Sequence, residues 1–385
     1  MTDYDVVVIG AGIQGAAVAQ AAAAGGYRTL VIEQYPEPAR GTSSRSSKLI
    51  HGGLRYLETG QFSLVRECLR ERRILLRNAP GLVKMQPFYL PVYRHTRRPA
   101  WKIAVGLSIY TLFSLRPFHW IGRWRWSELD GLVTEGLKTV FRYDDAQTDD
   151  ARLTAAVLQS AESLGAEIRY NASFHAASET EGACRVEIET ARGSVHLSTH
   201  ALVNAAGPWV VEVASRISPM SGQPAVDLVR GTHIEIARPL RGGIYYVEAA
   251  DGRAVFVMPW QGHTLIGTTE TPYRGDPAAV KPLESEIDYL LAVYNRYFRA
   301  ELTRGDVINA FAGLRVLPRS DGQSAFSRPR DTLIVGNRSG KARIVSLYGG
   351  KLTAHRATAE EVIERLKPVL PKRQVVADTR KLRLS

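Results

Sequence analysis

Three glycines near the start of the chain have the spacing of a dinucleotide-binding turn. Gly10, Gly12 and Gly15 form a GxGxxG motif directly after the apolar residues 6–9, which have the pattern of a parallel strand buried on both faces. The first glycine permits a tight turn, the second lets the backbone approach a pyrophosphate, and the third lets the next helix pack on the strand. Residues 13–24 are rich in alanine and are predicted to be helical, with free N–H groups at the helix N-terminus for an anion.

An acidic residue follows this turn at the expected distance. Residues 29–32 have the pattern of a second strand, and Glu33 ends it, where a carboxylate can accept hydrogen bonds from ribose hydroxyls. Strand, glycine turn, helix and acid in this order predict a Rossmann-like site for an ADP-containing dinucleotide. These residues alone leave both NAD and FAD open.

Residues 41–62 form a second stretch that is dense in hydroxyls, glycines and cations. Gly52 and Gly53 indicate a close approach of the backbone to a flat ligand. Residues 54–57 are apolar and basic, which argues against a solvated loop. The hydroxyls are suited to phosphate and ribose oxygens, and they belong to Thr42, Ser43, Ser44, Ser46 and Ser47.

The segment SSKLIHGGLRYL, residues 46–57, closely resembles the FAD-dependent glycerol-3-phosphate dehydrogenases. These membrane-associated flavoenzymes pass electrons to quinone and belong to the D-amino-acid-oxidase-like flavoproteins. The resemblance continues along most of the chain and implies an α/β fold, in which a Rossmann-like FAD-binding domain is interleaved with an antiparallel-sheet substrate domain. It also implies oxidation of sn-glycerol 3-phosphate to dihydroxyacetone phosphate by hydride transfer to N5 of a non-covalently bound FAD.

FAD needs contacts from distant parts of a chain, and three segments offer them: residues 10–15, 42–53 and 349–353. We expect a helix over residues 352–366, whose N-terminus near Gly350 faces the N1–C2=O2 edge of the flavin. The helix dipole and Lys351 would then raise the affinity of the flavin for a hydride. The residues expected to contact FAD are Gly10, Gly12, Gly15, Glu33, Thr42, Ser43, Ser44, Ser47, Lys48, Leu49, His51, Gly52, Ala206, Gly207, Gly349, Gly350, Lys351, Leu352 and Thr353.

Oxidation of a secondary alcohol needs a proton acceptor and a donor for the developing alkoxide, and a phosphorylated substrate needs fixed cations. The resemblance assigns the first role to His233 in GTHIEI and the second to Arg315 in AGLRVL. Lys351 in GGKLT completes the expected catalytic set. The residues expected to hold the substrate are Arg55, Tyr56, Thr269 and Arg330, with Thr268 beside Thr269 in IGTTE.

This chain departs from the family pattern in three places. Val316 stands where the family has a proline, and Arg328 competes with Arg330 for the phosphate role. The resembling bacterial enzymes also usually carry a C-terminal helical domain beyond the GGKLT helix. We expect residues 1–80, 141–215 and 305–370 to bind FAD, residues 81–140 and 216–304 to form the substrate domain, and residues 371–385 to be a basic, partly disordered tail.

The bulk composition is consistent with a globular protein. The chain has 385 residues, of which 45% are hydrophobic, and a formal net charge of +12. No nucleic-acid-binding motif accompanies this charge, so we expect a small phosphorylated polyol and an anionic membrane as partners, together with quinone or another electron acceptor. Cys68 and Cys184 are far apart and lack a metal-binding pattern, which indicates reduced thiols.

We expect a cytoplasmic protein with peripheral contact at the cytoplasmic face of the inner membrane. The first strand begins too early for a signal peptide, and no apolar stretch is long enough to span a bilayer. Residues 101–126 combine an apolar segment with Trp and Arg, which suits either a membrane interface or a buried helix followed by a loop.

Two other functions fit parts of the sequence. The first alternative is an amine or amino-acid oxidase of the same flavoprotein group, in which arginines would bind a carboxylate and oxygen would be the acceptor. The GGLRYL segment and its several basic residues favour a phosphate dianion instead. The second alternative is a non-catalytic basic protein that binds membranes or RNA and keeps FAD only as a structural group.

Overall fold

The computed structural model describes residues 2–219, 222–319, 332–338 and 340–385. The helices in this part of the chain are α1 (Ile13–Ala24), α2 (Phe62–Asn78), α3 (Ala100–Ser114), α4 (Asp150–Ser163), α5 (Val210–Ser215), α6 (Glu284–Tyr297) and α7 (His355–Leu366). The strands are β1 (Tyr4–Ile9), β2 (Thr29–Glu33), β3 (Leu49–Ile50), β4 (Val83–Tyr93), β5 (His119–Ile121), β6 (Leu137–Thr148), β7 (Glu167–Tyr170), β8 (Ser173–Thr180), β9 (Ala183–Thr190), β10 (Gly193–Asn204), β11 (Ile217–Ser218), β12 (Val226–Ile236), β13 (Ile244–Glu248), β14 (Ala254–Trp260), β15 (His263–Gly267), β16 (Thr271–Tyr273), β17 (Val307–Pro318), β18 (Leu333–Gly336) and β19 (Ile344–Tyr348).

The first sheet is built around the buried apolar strand β1. Its order is β11-β8-β9-β10-β1-β2-β7. Strand β19 also pairs with β10, and β18 pairs with β19. The strand β1 is parallel to both neighbours, β2 and β10. Strand β10 is long enough to change partners, because residues 193–199 pair with β9 and residues 202–204 pair with β19. The carboxyl ends of β1, β2, β10 and β19 therefore meet at one edge, where α/β sheets bind ligands.

Helix α1 is covered on almost every side. All of its residues except Gln14 are buried, since the helix packs against β1, β2, α4 and α7. Alanines make this possible, because their small side chains let neighbouring elements approach closely. The helix therefore needs no polar face, and its N-terminus is fixed above the glycine turn.

The second sheet has the order β16-β12-β15-β14-β13-β4-β6-β3, with β17 paired to β12 and β5 paired to β6. Its pairs are antiparallel apart from β13 with β4. Helix α6 covers one face, where Ile234, Val257 and Ile266 pack with Leu290 and Tyr294. Since side chains alternate along a strand, the residues between these point to the opposite face. The mixed α/β architecture confirms the expected fold class.

Several elements match their predicted bounds. Helix α1 spans residues 13–24, as its alanine-rich composition predicted, and α6 spans Glu284–Tyr297, the bounds that we expect for it from the sequence. Asp149 caps α4 by accepting a hydrogen bond from the backbone N–H of Arg152 at 3.0 Å. Cys68 and Cys184 are both buried free thiols.

Three predictions about elements were wrong. Helix α7 begins at His355 and not at residue 352, because residues 352–354 form a turn, in which the N–H of Ala354 donates to the carbonyl of Lys351 at 3.2 Å. The alternation of apolar and polar residues over residues 166–170 predicts a half-buried antiparallel strand, but this strand, β7, is parallel to β2. The C-terminal residues 371–385 form neither helix nor strand, but they are held in place.

This C-terminal segment packs on the first sheet and its helices. The backbone N–H groups of Val376 and Ala377 donate to the carbonyl of Ala24 at 2.8 and 3.1 Å. Arg373 forms an ion pair with the buried Asp5 at 2.8 Å, and the N–H of Leu384 donates to the carbonyl of Asn78. These contacts contradict the expectation of a partly disordered tail.

The division into two domains remains a prediction, with four strands that do not follow it. Strands β3, β6 and β17 lie wholly or largely within segments that we assigned to the FAD-binding domain, but they pair in the second sheet. Strand β11 lies in a segment that we assigned to the substrate domain, but it pairs with β8 in the first sheet. No helix among the described residues has the length and apolar composition needed to cross a membrane.

Candidate active site

A cavity of about 620 Å³ lies between the two sheets and receives all three segments that we expected to bind FAD. Five predicted site residues do not line it: Gly15, Ser44, Lys48, Gly52 and Thr269. Arg330, like Arg328, lies outside the described residues. The predicted residues that do line it are Gly10, Gly12, Glu33, Thr42, Ser43, Ser47, Leu49, His51, Arg55, Tyr56, Ala206, Gly207, His233, Arg315, Gly349, Gly350, Lys351, Leu352 and Thr353.

The three glycines of the turn each have a steric reason. Gly10 has a φ of +97°, and a Cβ atom there would lie 2.9 Å from the carbonyl oxygen of Ala205. A Cβ at Gly15 would lie 1.9 Å from the carbonyl oxygen of Gly10, so this glycine lets α1 pack on the turn and does not face the cavity. At Gly12 the nearest atom to such a Cβ is the hydroxyl of Ser43, at 3.2 Å. The turn therefore presents bare backbone to the cavity.

Glu33 lies at the end of β2 with its carboxylate beside the turn. It accepts hydrogen bonds from the backbone N–H groups of Ala11 at 2.6 Å and Tyr35 at 3.0 Å. Burial raises the pKa of this carboxyl above its ordinary value, and the bonds from Ala11 and Tyr35 offset that rise only in part. The carboxylate is thus held by the backbone of the glycine turn at Ala11 and by the backbone that follows β2 at Tyr35.

Gln14 lines the cavity, although sequence analysis did not select it. Among the described residues its Nε2 and Oε1 atoms are buried without a hydrogen-bond partner. A Cβ at Gly350 would lie 2.3 Å from Gln14 Nε2, so the amide packs against the second glycine segment. A buried amide without partners needs a polar ligand, which is what a bound dinucleotide supplies. Its position between the second and third glycines of the motif was the available signal.

The hydroxyl segment is only partly directed at the cavity. Ser43 accepts a hydrogen bond from the N–H of Ile13 at 2.9 Å, which ties the segment to the start of α1. Thr42 donates to the carbonyl of Leu314 at 2.6 Å, which ties it to β17. Ser47 lies 3.0 Å from Nε2 of His233. The segment thus connects the two sheets at the cavity.

Ser44 and Lys48, which we expected to contact the cofactor, do not line the cavity. The Lys48 ammonium pairs with the buried Asp150 at 2.5 Å and donates to the carbonyl of Ser44. Ser44 and Lys48 therefore stabilise the segment itself. Because an unpaired buried charge is costly, the direction of Lys48 was set by Asp150, a residue distant in sequence.

Gly52 is a third residue of this segment that does not line the cavity. Its N–H donates to the hydroxyl of Tyr110 at 2.9 Å. A Cβ there would lie 2.5 Å from both the Tyr110 hydroxyl and the Leu69 side chain. The close approach that we predicted is therefore to α2 and α3 and not to a flat ligand. Gly53, with a φ of +75°, faces the cavity and the ring of Tyr56.

His233 lies on β12 and is almost fully buried. Its ring stacks on Phe311 at 5.0 Å, and a Cβ at Gly267 would lie 2.1 Å from its Cδ2 atom. Burial lowers the pKa of this imidazole well below 6.5, and the charges of Arg315 and Lys48 lower it further. The ring is therefore neutral, and among the described residues its Nδ1 has no hydrogen-bond partner.

Arg315 projects from β17 into the cavity. Its guanidinium donates to Glu270 Oε1 and to the Thr268 hydroxyl, both at 3.2 Å. Thr269, which follows Thr268 in the sequence, points away from the cavity and donates to the buried Glu286 at 2.9 Å. Thr268, and not Thr269, is therefore the threonine of IGTTE that faces the cavity.

Lys351 and Tyr56 contact each other in the wall of the cavity. The ammonium of Lys351 lies 4.9 Å from the ring centroid of Tyr56, within cation–π range. Arg55 also lines the cavity. Cations from two segments that are distant in sequence therefore reach the same cavity.

The wall opposite the glycine turns contains residues that sequence analysis missed. Tyr246, Arg253, Phe256 and Glu270 line the cavity from β13, β14 and the end of β15. Arg253 donates to the carbonyl of Glu270 at 2.9 Å. Strand alternation groups Ala254 with Phe256 on one face, but nothing in the sequence says what that face covers.

The cavity combines backbone suited to a dinucleotide with a neutral histidine and several cations. These features are typical of a flavin-dependent oxidoreductase. The FAD dependent oxidoreductase family model, DAO, matches residues 5–356. The chain belongs to this family, and its cofactor is therefore FAD and not NAD. Within the family it belongs with the glycerol-3-phosphate dehydrogenases, as the GGLRYL segment predicted.

Two relatives support this placement, and a third of similar identity is named for another phosphorylated polyol. The chain is 39% identical to glycerol-3-phosphate dehydrogenase of Pseudomonas tolaasii over 374 residues, 95% of this chain and 72% of the relative. It is 39% identical to aerobic glycerol-3-phosphate dehydrogenase of Escherichia coli strain K12, covering 96% of this chain and 74% of the relative. It is 37% identical to D-erythritol 1-phosphate dehydrogenase of Brucella abortus, covering 95% and 74%.

Solved structures agree with the fold. Glycerol-3-phosphate dehydrogenase from Bacillus halodurans complexed with FAD superposes with a TM-score of 0.78 at 28% identity, covering 99% of this chain and 68% of that chain. The FAD-bound L-alpha-glycerophosphate oxidase of Mycoplasma pneumoniae gives a TM-score of 0.77 at 17% identity, covering 94% of each chain. At that identity the second match shows a common fold only.

Proposed function

We propose that this chain oxidises sn-glycerol 3-phosphate to dihydroxyacetone phosphate and passes the electrons to quinone. The observation that carries the proposal is the placement of a neutral, buried His233 beside Arg315 in a cavity that also receives Arg55 and Lys351. A proton acceptor and converging cations suit a phosphorylated alcohol. The names of the relatives point to the same class of substrate.

FAD fits the cavity, and it supplies a two-electron acceptor at its N5 atom when bound. The bare backbone of Gly10 and Gly12 lies in front of the α1 N-terminus, which suits a pyrophosphate. Glu33 is fixed at the end of β2, where we expect the ribose hydroxyls. The unpartnered amide of Gln14 and the backbone of residues 349–353 complete the cradle. We recognise no attachment residue of the family type, so we propose non-covalent binding.

We assign the cations of the cavity to particular oxygen atoms of the substrate. Arg55 and Lys351 hold the phosphate dianion and the carbinol oxygens, with Tyr56 between them. We keep Arg330 as a further candidate phosphate ligand. Thr268 replaces Thr269 as the threonine expected to contact the substrate, because only Thr268 faces the cavity.

The chemical step requires a proton and a hydride to leave the same carbinol. We assign the proton to the neutral imidazole of His233, which is the form that can accept it. The guanidinium of Arg315, held by Glu270 and Thr268, stabilises the negative charge that grows on the oxygen. Because two side chains hold it, the guanidinium needs little reorganisation during the reaction.

Anaerobic bleaching of the flavin absorbance tests this proposal. Glycerol 3-phosphate is expected to bleach the bound flavin, whereas glycine and sarcosine leave it oxidised. Erythritol 1-phosphate belongs in the same panel, because a relative of equal coverage is named for that substrate. Bleaching by glycine or sarcosine alone would favour the amino-acid oxidase alternative, and no bleaching by any substrate would favour a structural flavin.

We also propose peripheral contact with an anionic membrane, at the cytoplasmic face of the inner membrane. Helix α3 and the following segment expose large apolar side chains: Trp101, Val105, Leu112, Leu115, Trp120 and Trp124. Arg116, Arg123 and Arg125 lie among them in sequence. Exposed tryptophans beside cations are suited to the interface of an anionic bilayer.

A further inference from the structure

A buried carboxylate lies behind the side chains that we assign to catalysis, on the other face of the second sheet. His233 lines the cavity from β12, whereas Thr232, the residue before it, does not. Successive side chains of a strand point to opposite faces, so Thr232 belongs to the face that α6 covers. Thr269 also points away from the cavity. Glu286 of α6 accepts a hydrogen bond from each of these two threonines.

Glu286 and the two threonines are joined by a closed ring of hydrogen bonds. The Thr232 hydroxyl donates to Glu286 Oε2 at 2.6 Å, and the Thr269 hydroxyl donates to Glu286 Oε1 at 2.9 Å. The hydroxyl oxygen of Thr269 in turn accepts from the backbone N–H of Thr232 at 2.9 Å. The backbone N–H of Thr269 donates to the carbonyl of Thr232 at 3.3 Å. Glu286 therefore holds β12 and the segment after β15 against each other.

The carboxyl of Glu286 is ionised, although its side chain is buried. Burial raises its pKa, but hydrogen bonds from its neighbours, Thr232 and Thr271 first among them, bring the pKa below its ordinary value. Arg230 supplies a counter-charge, with Nε 3.1 Å from Oε2. Because an ionised carboxylate can only accept hydrogen bonds, both threonine hydroxyls must point their protons at it. This leaves the oxygen of Thr269 free to accept from the backbone of β12.

On the cavity side, Thr268 and Arg315 pack against bare backbone of β12. The Thr268 hydroxyl accepts from Arg315 Nη2 at 3.2 Å. A Cβ at Gly231 would lie 2.6 Å from the Thr268 hydroxyl oxygen and 3.0 Å from Arg315 Nη2. Thr269, which Glu286 holds, directly follows Thr268. A shift of Thr269 is therefore transmitted to the contact between Thr268 and the guanidinium.

We propose that Glu286 is a positioning residue that sets the placement of His233 relative to Arg315. It does not line the cavity, and it acts through Thr232, which precedes His233, and through Thr269. This inference rests on the proposed function, in which the imidazole takes the proton and the guanidinium stabilises the charge on the same oxygen. Since both groups must meet one atom, an error in their placement lowers the rate of reaction more than the binding of the substrate.

Glu286→Gln keeps the volume of the side chain and disrupts the ring of hydrogen bonds. The backbone N–H of Leu283 donates to Oε2 at 3.1 Å, so that position must stay an oxygen. The new NH₂ group therefore replaces Oε1 and faces Thr269, whose hydroxyl loses its acceptor. Glu284→Gln makes the same change on the same helix, at a side chain that is 73% exposed, and is the matched control.

Anaerobic stopped-flow reduction of the flavin by glycerol 3-phosphate tests the proposal. Glu286→Gln is expected to lower the limiting rate about tenfold to a hundredfold, with the half-saturating concentration within about twofold of wild type. Glu284→Gln should change neither value. Thr269→Val should act like Glu286→Gln, whereas Thr269→Ser keeps the hydroxyl and should restore the rate to within about twofold of wild type. An unchanged limiting rate in folded, flavin-loaded Glu286→Gln would overturn the proposal.

Two further arrangements keep the outcomes distinct. If Glu286→Gln does not fold, the comparison of Thr269→Val with Thr269→Ser replaces it, and equal limiting rates in that pair overturn the proposal. Failure of glycerol 3-phosphate to bleach the wild type refutes the proposed function. Crystal structures of wild type and Glu286→Gln then decide the positioning role. A shift of the Arg315 guanidinium relative to the His233 ring by about 0.5 Å or more supports it, and identical placement overturns it.

Discussion

Arg315 is the residue at which the proposed chemistry is most directly testable. Arg315→Ala is expected to lower the limiting rate of anaerobic flavin reduction by about a hundred- to a thousandfold, because its charge acts on the developing alkoxide. Stopped-flow absorbance measures this rate while gel filtration checks that FAD stays bound. Arg319→Ala is the matched control, because Arg319 pairs with Asp227 at the surface. Arg55→Ala should mainly raise the half-saturating substrate concentration, since a phosphate contact is similar in ground and transition states.

The opposite result for Arg315 would change its role. If Arg315→Ala raised only the half-saturating concentration and left the limiting rate unchanged, Arg315 would be a phosphate ligand. Glu270→Gln then becomes informative, because Glu270 orients the same guanidinium at 3.2 Å.

Glu33 is expected to matter for cofactor retention and not for chemistry. Glu33→Ala removes the acceptor for two backbone N–H groups and the expected partner of the ribose, so FAD binding should weaken about tenfold or more. Turnover of the fully loaded enzyme should stay within about twofold. Titration of the apoprotein with FAD measures the first effect, and Glu37→Ala, at a 59% exposed side chain, is the control. Equal FAD affinity in both variants would contradict the assignment.

His233 sets the expected pH dependence of flavin reduction. Its pKa is lowered by burial and then by Arg315 and Lys48, so the imidazole is neutral at pH 7 and protonates only well below 6.5. The neutral form accepts the proton, and the limiting rate should therefore be flat near neutral pH and fall on the acid side. Rates measured from pH 5 to 8 check this, and His233→Gln should be slow and lack the acid limb. A midpoint above 6.5 would exclude His233 as the titrating base.

How far the site was predictable depends on which partner fixes each side chain. The glycine turn was predictable because its geometry is local, from Gly10 to Gly15. The directions of Lys48 and Thr269 were not predictable. Lys48 pairs with Asp150, which is 102 residues away, and Thr269 donates to Glu286, which is 17 residues away. Gln14 was missed because its lack of a protein partner is visible only in three dimensions.

At the scale of elements, α3 carries the most distinctive prediction. The double variant Trp101→Ser, Trp124→Ser removes two tryptophans that are 70% and 81% exposed. The apparent affinity for anionic liposomes, measured by flotation, is expected to fall about tenfold, because the two rings no longer bury apolar area in the interface. Val375→Ser, Val376→Ser is the control, since these valines are 71% and 62% exposed in the C-terminal segment. Unchanged flotation of the tryptophan variant would remove α3 from the membrane surface.

Helix α1 was predicted because its run of alanines favours a helix locally, whatever packs around it. The start of α7 was wrong because GGK resembles a helix opening, whereas residues 352–354 form a turn and the helix begins at His355. The direction of β7 was wrong because an alternating pattern describes burial and not the direction of the neighbouring strand. The sequence also left open whether α3 was buried, and its exposure depends on what the rest of the chain covers.

At the scale of the whole molecule, the segments that we expect to contact the cofactor lie far apart in the sequence. Residues 10–14, 42–53 and 349–353 all reach the same cavity, and no single segment encloses it. Unfolding separates these segments, so denaturation in acid or guanidinium is expected to release all of the flavin into the filtrate of an ultrafiltration membrane. Flavin absorbance that remains with the denatured chain would contradict non-covalent binding and leave the identity of the cofactor intact.

The strand order of the first sheet has a consequence for biosynthesis. Strand β10 lies between β1, from the first ten residues, and β19, from residues 344–348. Helix α7, which follows β19, packs against α1. During translation the N-terminal turn emerges long before these partners, so the growing chain cannot close its nucleotide cradle. We therefore expect flavin loading to be completed only after the ribosome has delivered β19 and α7.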